Sequence, residues 1–372
     1  MTRSAASTAW APQDKGGVLM WAMILKEFLE LRRDRRTMVM IIALPLLLLV
    51  VFGYAANFRV SDVPTRVYGP HAQAVAAQLK SPFDVREVDP AGTERQGRDA
   101  LRSQDAGAVV VTTASSRSSI VLIDGSDLFS AQASASAALA GGGVLKPEVL
   151  FNPDLKTSWV MVPALVGMIM AFIGTIITAI GLVRERQAGT LEQLAVMPFK
   201  ASDVIVGKIA PYFVLAAFDM MLVTVLGCLL FGVPFTGNVA VLVLGAALFL
   251  FTVLGIGVLI SSVSQNQGQA MQMSLLTLMP QILLSGMIFP LAAMAAGVRW
   301  IGYIFPLTYF NKISNGVMLR DAPIDSLALP LGVLAGMAAL VFTAAVLRFR
   351  RDLAPAAPKG AARKAVPAAS VR

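Results

Sequence analysis

Residues 220–298 read MMLVTVLGCLLFGVPFTGNVAVLVLGAALFLFTVLGIGVLISSVSQNQGQAMQMSLLTLMPQILLSGMIFPLAAMAAGV, without a single Lys, Arg, Asp or Glu. A helix that crosses a bilayer needs roughly 20 apolar residues, so this run holds several crossings joined by uncharged turns. Residues 232–238, with Pro234 and Gly237, and the polar stretch 261–269 supply those turns.

Three further runs, 37–58, 157–183 and 326–347, also lack charge. Across the chain 56% of residues are hydrophobic and 14% charged, against roughly a quarter charged in an ordinary soluble domain. The pattern predicts a mainly α, polytopic membrane protein. Six transmembrane helices are placed at 37–57, 158–183, 209–231, 239–262, 270–289 and 327–347.

The formal net charge of +9 would suggest nucleic acid in a soluble protein. Here the basic residues cluster in short segments beside the apolar runs: before residue 37, at Arg184, Arg186, Lys200 and Lys208, and after Leu347. Basic short loops favour the cytoplasmic side, and these three fall on one side only with an even number of crossings. Both termini are therefore expected in the cytoplasm, with a lipid bilayer and no nucleic acid as partner.

Upstream of the first span, Trp21, Ile24, Leu25 and Phe28 recur at helical spacing over residues 18–36, which predicts an amphipathic helix on the membrane surface. A cytosolic lead-in continuing into the span fits the same residues. Residues 58–157 are polar. The stretches 65–68, 83–88, 107–112 and 119–123 read as strands and 72–79 and 94–103 as helices, which together predict a small extracytoplasmic α/β domain. Residues 131–143, rich in Ala, Ser and Gly, read as a helix or a flexible return to the membrane. Residues 290–325 are too apolar for a free loop and are broken by Pro290, Arg299 and Pro306. Short re-entrant helices are expected there, with an extra hairpin as the competing count. The basic tail, 349–372, is expected to be disordered.

Catalytic chemistry is poorly represented. His71 is the sole histidine and Cys228 the sole cysteine, so no disulfide within the chain and no cysteine-based metal site can form. No HExxH, nucleophile elbow or phosphate-binding GxxxxGK[ST] loop is present. If ATP is used, another chain binds it.

The densest signal lies between the second and third spans: Arg184-Glu185-Arg186-Gln187-Ala188-Gly189-Thr190-Leu191-Glu192-Gln193-Leu194-Ala195-Val196-Met197-Pro198. Thr190 and Leu191 could open a short helix that Pro198 ends, presenting Leu191, Leu194 and Ala195 as an apolar patch ringed by charge. Such a helix suits docking into a partner's groove, and a helix lying on the membrane fits the same residues.

This loop resembles the cytoplasmic signature of type-2 ABC exporter permeases, through Glu185, Gly189, Thr190, Glu192, Leu194 and Pro198 and the later Gly207-Lys208. Leu122-Ile123-Asp124-Gly125-Ser126, Gln269-Ala270-Met271-Gln272, Pro280, the stretch from Leu284 to Pro290 and Phe305-Pro306-Leu307-Thr308-Tyr309-Phe310 resemble the same family, in order along the chain. Asn311-Lys312 and Asn315 depart from it, standing where such permeases often carry an acidic residue and an arginine. The resemblance implies a dimer of six-helix subunits with an export path between them. Each permease, paired with a second copy or a close paralogue, would work with an ABC ATPase subunit that carries the ATP and magnesium. Helix 18–36 would be the connecting helix and 184–208 the coupling loop, with Arg184, Glu185, Arg186, Gly189, Thr190, Leu191, Glu192, Leu194 and Pro198 as coupling residues. A periplasmic adaptor is a further partner to look for.

Within the membrane, Asp219 is the one clear charge in a span, and such residues carry function often enough to be suspects. A structural hydrogen bond is the plainer account. Flexible methionines such as Met168, Met170 and Met279 suit a surface that accepts several apolar ligands, although core packing explains them as well. Ser285 and Gly286 would permit close helix approach. These six residues are the candidate substrate path. The expected function is ATP-driven export of an amphipathic or hydrophobic solute, drug-like or lipid, by a transport subunit that is not itself an enzyme. A proton- or sodium-coupled secondary transporter working through Asp219, and a membrane receptor or scaffold, are the alternatives.

Overall fold

The computed structural model describes residues 60–113, 119–141, 144–189 and 201–353, together with Val39, Pro45, Leu46 and Leu49; the side chains of 201–206, 208, 296 and 349–353 are not described. The amphipathic helix expected at 18–36, most of the first span and residues 354–372 lie outside these residues.

The polar segment folds into a five-stranded sheet: β1 Val63–Tyr68, β2 Phe83–Asp89, β3 Ala108–Val111, β4 Ser119–Asp124 and β5 Leu145–Leu150. Spatial order is β2-β1-β3-β4-β5. Pairing is parallel except between β3 and β4, where Ala108 faces Ile123 and Val111 faces Ile120. Three helices cover it: α1 Ala72–Ala76, α2 Glu94–Arg102 and α3 Leu128–Ala140.

Alternation along the strands builds two cores. Ala108, Val110, Val121 and Ile123 pack with Ala131 and Ala138 of α3, while Val109, Val111 and Leu122 pack with Ala100 and Leu101 of α2. The near-continuous apolar runs of β3 and β4 are what a sheet covered on both faces requires.

Helix starts are set by caps. The Thr93 hydroxyl accepts from the Gln96 N–H while the Gln96 side chain accepts from the Thr93 N–H, a reciprocal capping box. Asp127 caps α3 by accepting from the Ser130 N–H. The return to the helices is pinned by Asn152, fully buried, whose side chain donates to the carbonyls of Gly125 and Lys156 and accepts from the Lys156 N–H at 2.8 Å.

Beyond it lie α4 Thr157–Phe172, a π turn Ile173–Ile177 and α5 Thr178–Gln187, then α6 Ala201–Phe231, α7 Val239–Val263, α8 Gln267–Leu284, a 3₁₀ turn Leu291–Ala293, α9 Ala296–Gly302, α10 Pro306–Leu319 and α11 Ile324–Leu353. Among the described residues four helices are long and apolar enough to cross a membrane: Thr157–Gln187, Ile209–Phe231, Val239–Val263 and Ile324–Arg348. The expected count of six is not reached within these residues. The first expected span falls mostly outside them, and α8, expected as a span over 270–289, ends at Leu284 and carries Gln267, Gln269, Gln272 and Gln281.

α7 is the hub, packed against α5, α10 and α11. Phe249 of α7 and Phe310 of α10 stack with ring centroids 4.9 Å apart, and Gly257 of α7 leaves no room for a Cβ against the Thr175 carbonyl of the π turn, which would lie 2.9 Å away. Such small-residue contacts let two backbones approach closely. The window of α7 is 56% buried but those of α6 and α11 only 17%, so these two lie at the periphery. They expose Phe218, Leu222, Leu229, Leu329 and Leu340 among others. Each such side chain left in water forgoes about 1.5–3 kcal/mol of burial, so this surface belongs against lipid or protein.

Candidate functional site

The first expected site begins at the end of α5, where Arg184 and Arg186 occupy the last turn and so complement the helix dipole. Gly189 stops the helix at φ +73°, with its N–H donating to the Arg186 carbonyl. A substituent there would meet no atom within 4 Å, so its left-handed backbone rather than lack of space demands glycine. The Arg186 guanidinium donates to the Ser264 carbonyl at 3.2 Å, and Gln267 donates to Gln187 at 3.2 Å. The end of α5 is therefore tied to the turn between α7 and α8. α5 runs on to Gln187 and α6 opens at Ala201, so the connection is shorter than the expected 184–208. Thr190, Leu191, Glu192, Leu194 and Pro198 lie outside the described residues.

The six residues of the expected substrate path are not brought together. Met170 is fully buried in the bundle core, and Met168 and Met279 are partly buried against it. Asp219 sits half-buried on α6 with its Oδ2 enclosed and unpartnered among the described residues. Ser285 and Gly286, just beyond α8, line a different feature: a cavity of about 420 Å³ between the sheet domain and α10.

Apart from Ser285 and Gly286, the polar residues that build that cavity are ones for which no role in a substrate path was expected. Asp124, at the end of β4, and Arg320, the C-cap of α10, lie 3.6 Å apart with side chains 3% and 2% exposed. Ser126 completes the junction: its hydroxyl and N–H donate to Asp124 at 2.6 and 2.9 Å, and Arg320 donates to that hydroxyl at 3.0 Å. Burial pushes the Asp124 carboxyl above the ordinary aspartate range, and Arg320 and Ser126 pull against that shift.

Further along the wall, Asn311 donates to the Ser285 hydroxyl at 3.4 Å while its own Oδ1, like that of Asn315, is buried without a partner among the described residues. The backbone of the broken segment is satisfied by side chains. Thr308 donates to the Gly302 carbonyl at 2.6 Å, Tyr309 to that of Tyr303 at 2.7 Å, and Arg299 to those of Ala292 and Met294. Low-dielectric placement of irregular backbone requires such partners.

The signal that could have found this cavity was the set of basic residues, Arg299, Lys312 and Arg320, in a largely apolar segment. Asp124-Gly125-Ser126 had been noted for its resemblance alone. The arrangement can bind and anchor. Among the described residues no group of three or more His, Cys, Asp or Glu is placed to hold a metal ion.

Residues 35–347 match the family described as ABC-2 family transporter protein. The chain is 27% identical over 363 residues to the probable multidrug ABC transporter permease YbhR of Escherichia coli, covering 90% of this chain and 99% of that protein. It is 27% identical over 338 residues to the probable multidrug permease YbhS, covering 81% and 90%. Against the inner membrane transport permease YhhJ it is 30% identical over 217 residues, 56% of each chain. With a match that spans the sheet domain and the helices alike, the chain belongs to the ABC-2 family of transporter proteins and is a membrane transport subunit of an ABC transporter.

Proposed function

We propose that this permease exports an amphipathic or hydrophobic solute from the bacterial cytoplasm, driven by ATP hydrolysis on a separate ATPase chain. The observation that carries the reading is the near full-length likeness to permeases named for multidrug transport. The distribution of basic residues supports an even number of crossings, six being the simplest, with cytoplasmic termini and an outward-facing sheet domain. A second permease copy or a close paralogue would complete the export path.

In this reading the end of α5 and residues 190–198 form the coupling element. Its anchorage to the turn between α7 and α8 through Arg186 and Gln187 supports the reading, because a docked partner that moves α5 would move α7 as well. Coupling requires that the element bind the two ATPase states with different affinity. Co-purification with the partner ATPase tests the seat. Replacing residues 190–194 with a Gly-Ser stretch should abolish it, and retained binding would refute the assignment.

A further inference from the structure

Of the features left unassigned, the cavity between the sheet domain and α10 carries the most chemistry. Its carboxylates are engaged within the protein. Asp124 is paired to Arg320 at 3.6 Å, Asp127 accepts from the Ser130 N–H and hydroxyl, and Asp62 accepts from the Ser61 hydroxyl at 3.0 Å. Two of its cations have no carboxylate among the described residues. Lys312 is half-buried, its ammonium 5.3 Å from the centre of the Tyr303 ring and without an ion pair among the described residues. Arg299 spends its terminal nitrogen on backbone carbonyls and leaves Nε buried and unpartnered.

A buried cation without a counter-charge is costly, and a cavity is where a ligand can supply one. The acceptor side is open as well: among the described residues Asn311, 6% exposed, and the half-buried Asn315 one turn later both line the cavity, and each has an enclosed Oδ1 with no donor. The unfilled valences therefore specify an anionic group for Lys312 and Arg299 beside hydroxyl or N–H donors for the two amides. Val160, Met161 and Met287 supply an apolar wall. On the adjoining α9, Trp300 and Ile301 are 73% and 45% exposed, an apolar lip against which a hydrocarbon tail can lie.

We propose that this cavity binds the head group of an anionic amphiphile, a phosphate or carboxylate carrying hydroxyls, with Lys312 as its principal counter-ion and Asn311 and Asn315 as its hydroxyl acceptors. As cargo recognition this rests on the export reading. As a binding site it stands apart from that reading, because it is measured on the permease without any ATPase.

The test is equilibrium binding to the purified full-length chain in neutral maltoside micelles, followed by tryptophan fluorescence. The probes are myristoyl lysophosphatidylglycerol, which is anionic and carries hydroxyls, and lysophosphatidylcholine, which has no net charge. The site predicts at least tenfold preference for the glycerol lipid. Lys312→Met should weaken that lipid at least tenfold without lowering the thermal unfolding midpoint, and Lys312→Arg should retain it. Asn315→Asp, which sets a carboxylate one turn from Lys312, should mimic the loss. Glycerol 3-phosphate separates the sources of the anion: displacement at comparable concentration assigns a soluble phosphate, and failure to displace assigns a lipid head group. Equal affinity for the two lipids, or unchanged binding in Lys312→Met, would overturn the proposal. Loss of ATP-driven flux with head-group binding intact would instead count against the export reading alone.

Discussion

The junction between the two parts of the molecule depends on a few charged atoms. Arg320 reaches Ser126 across 194 positions of sequence to meet Asp124, and Asp124 and Arg320 are among the most buried ionisable side chains described. Removing one partner of such a pair strands the other in a low dielectric and costs about 3–5 kcal/mol, whereas replacing both with apolar residues is often close to neutral. Asp124→Leu and Arg320→Met should each destabilise the purified protein by that amount, and the double variant by much less. Denaturant unfolding in detergent, run as a double-mutant cycle, reads this directly. The pairing could not be seen in the sequence. Asp124 stands in a stretch marked by resemblance and Arg320 carries no local signal, and nothing local links positions so far apart.

At the scale of elements, much was legible where periodicity is short-range. The four stretches read as strands each overlap one, and α2 begins at the expected Glu94 because the Thr93-Gln96 box is a local signal. β5 escaped notice because Lys146, Pro147 and Glu148 interrupt its apolar pattern, and an edge strand tolerates Pro where a central one does not. The π turn at Ile173–Ile177 was equally hidden, since its residues are as apolar as their helical neighbours and the Gly257 backbone that packs against it comes from the distant α7. α6 illustrates what uniform apolarity does encode. With few of its residues buried in the subunit, its outer face is set by its surroundings. Leu222, 43% exposed near the middle of that helix, should therefore resist charge. Leu222→Arg should disfavour membrane insertion by about 3 kcal/mol, measured by the glycosylation state of reporter constructs.

For the whole molecule, composition and the one-sided placement of basic loops made the membrane class readable, while the packing order around α7 was not. Which spans touch is decided by long-range fit, such as Phe249 on Phe310, that no window of sequence contains. The same holds for function. The loop proposed here to couple to the ATPase stands out in the sequence because its residues are contiguous, whereas the cavity draws on β4, the segment after α8, α9 and α10. The two sites fit one cycle if the ATPase acts on α5 at one end of the bundle and the head group is released beside the sheet domain at the other. Asp219, with its enclosed carboxyl oxygen, offers the rival route by which an ion gradient could drive the same protein.

Flux in proteoliposomes containing the permease and its ATPase separates these routes most directly. ATP-driven export predicts that transport of a fluorescent anionic amphiphile requires hydrolysable ATP. It should stop when the ATPase is inactivated or residues 190–194 become Gly-Ser, and survive Asp219→Asn. Transport that continues without ATP, follows an imposed proton or sodium gradient and vanishes in Asp219→Asn would contradict the account.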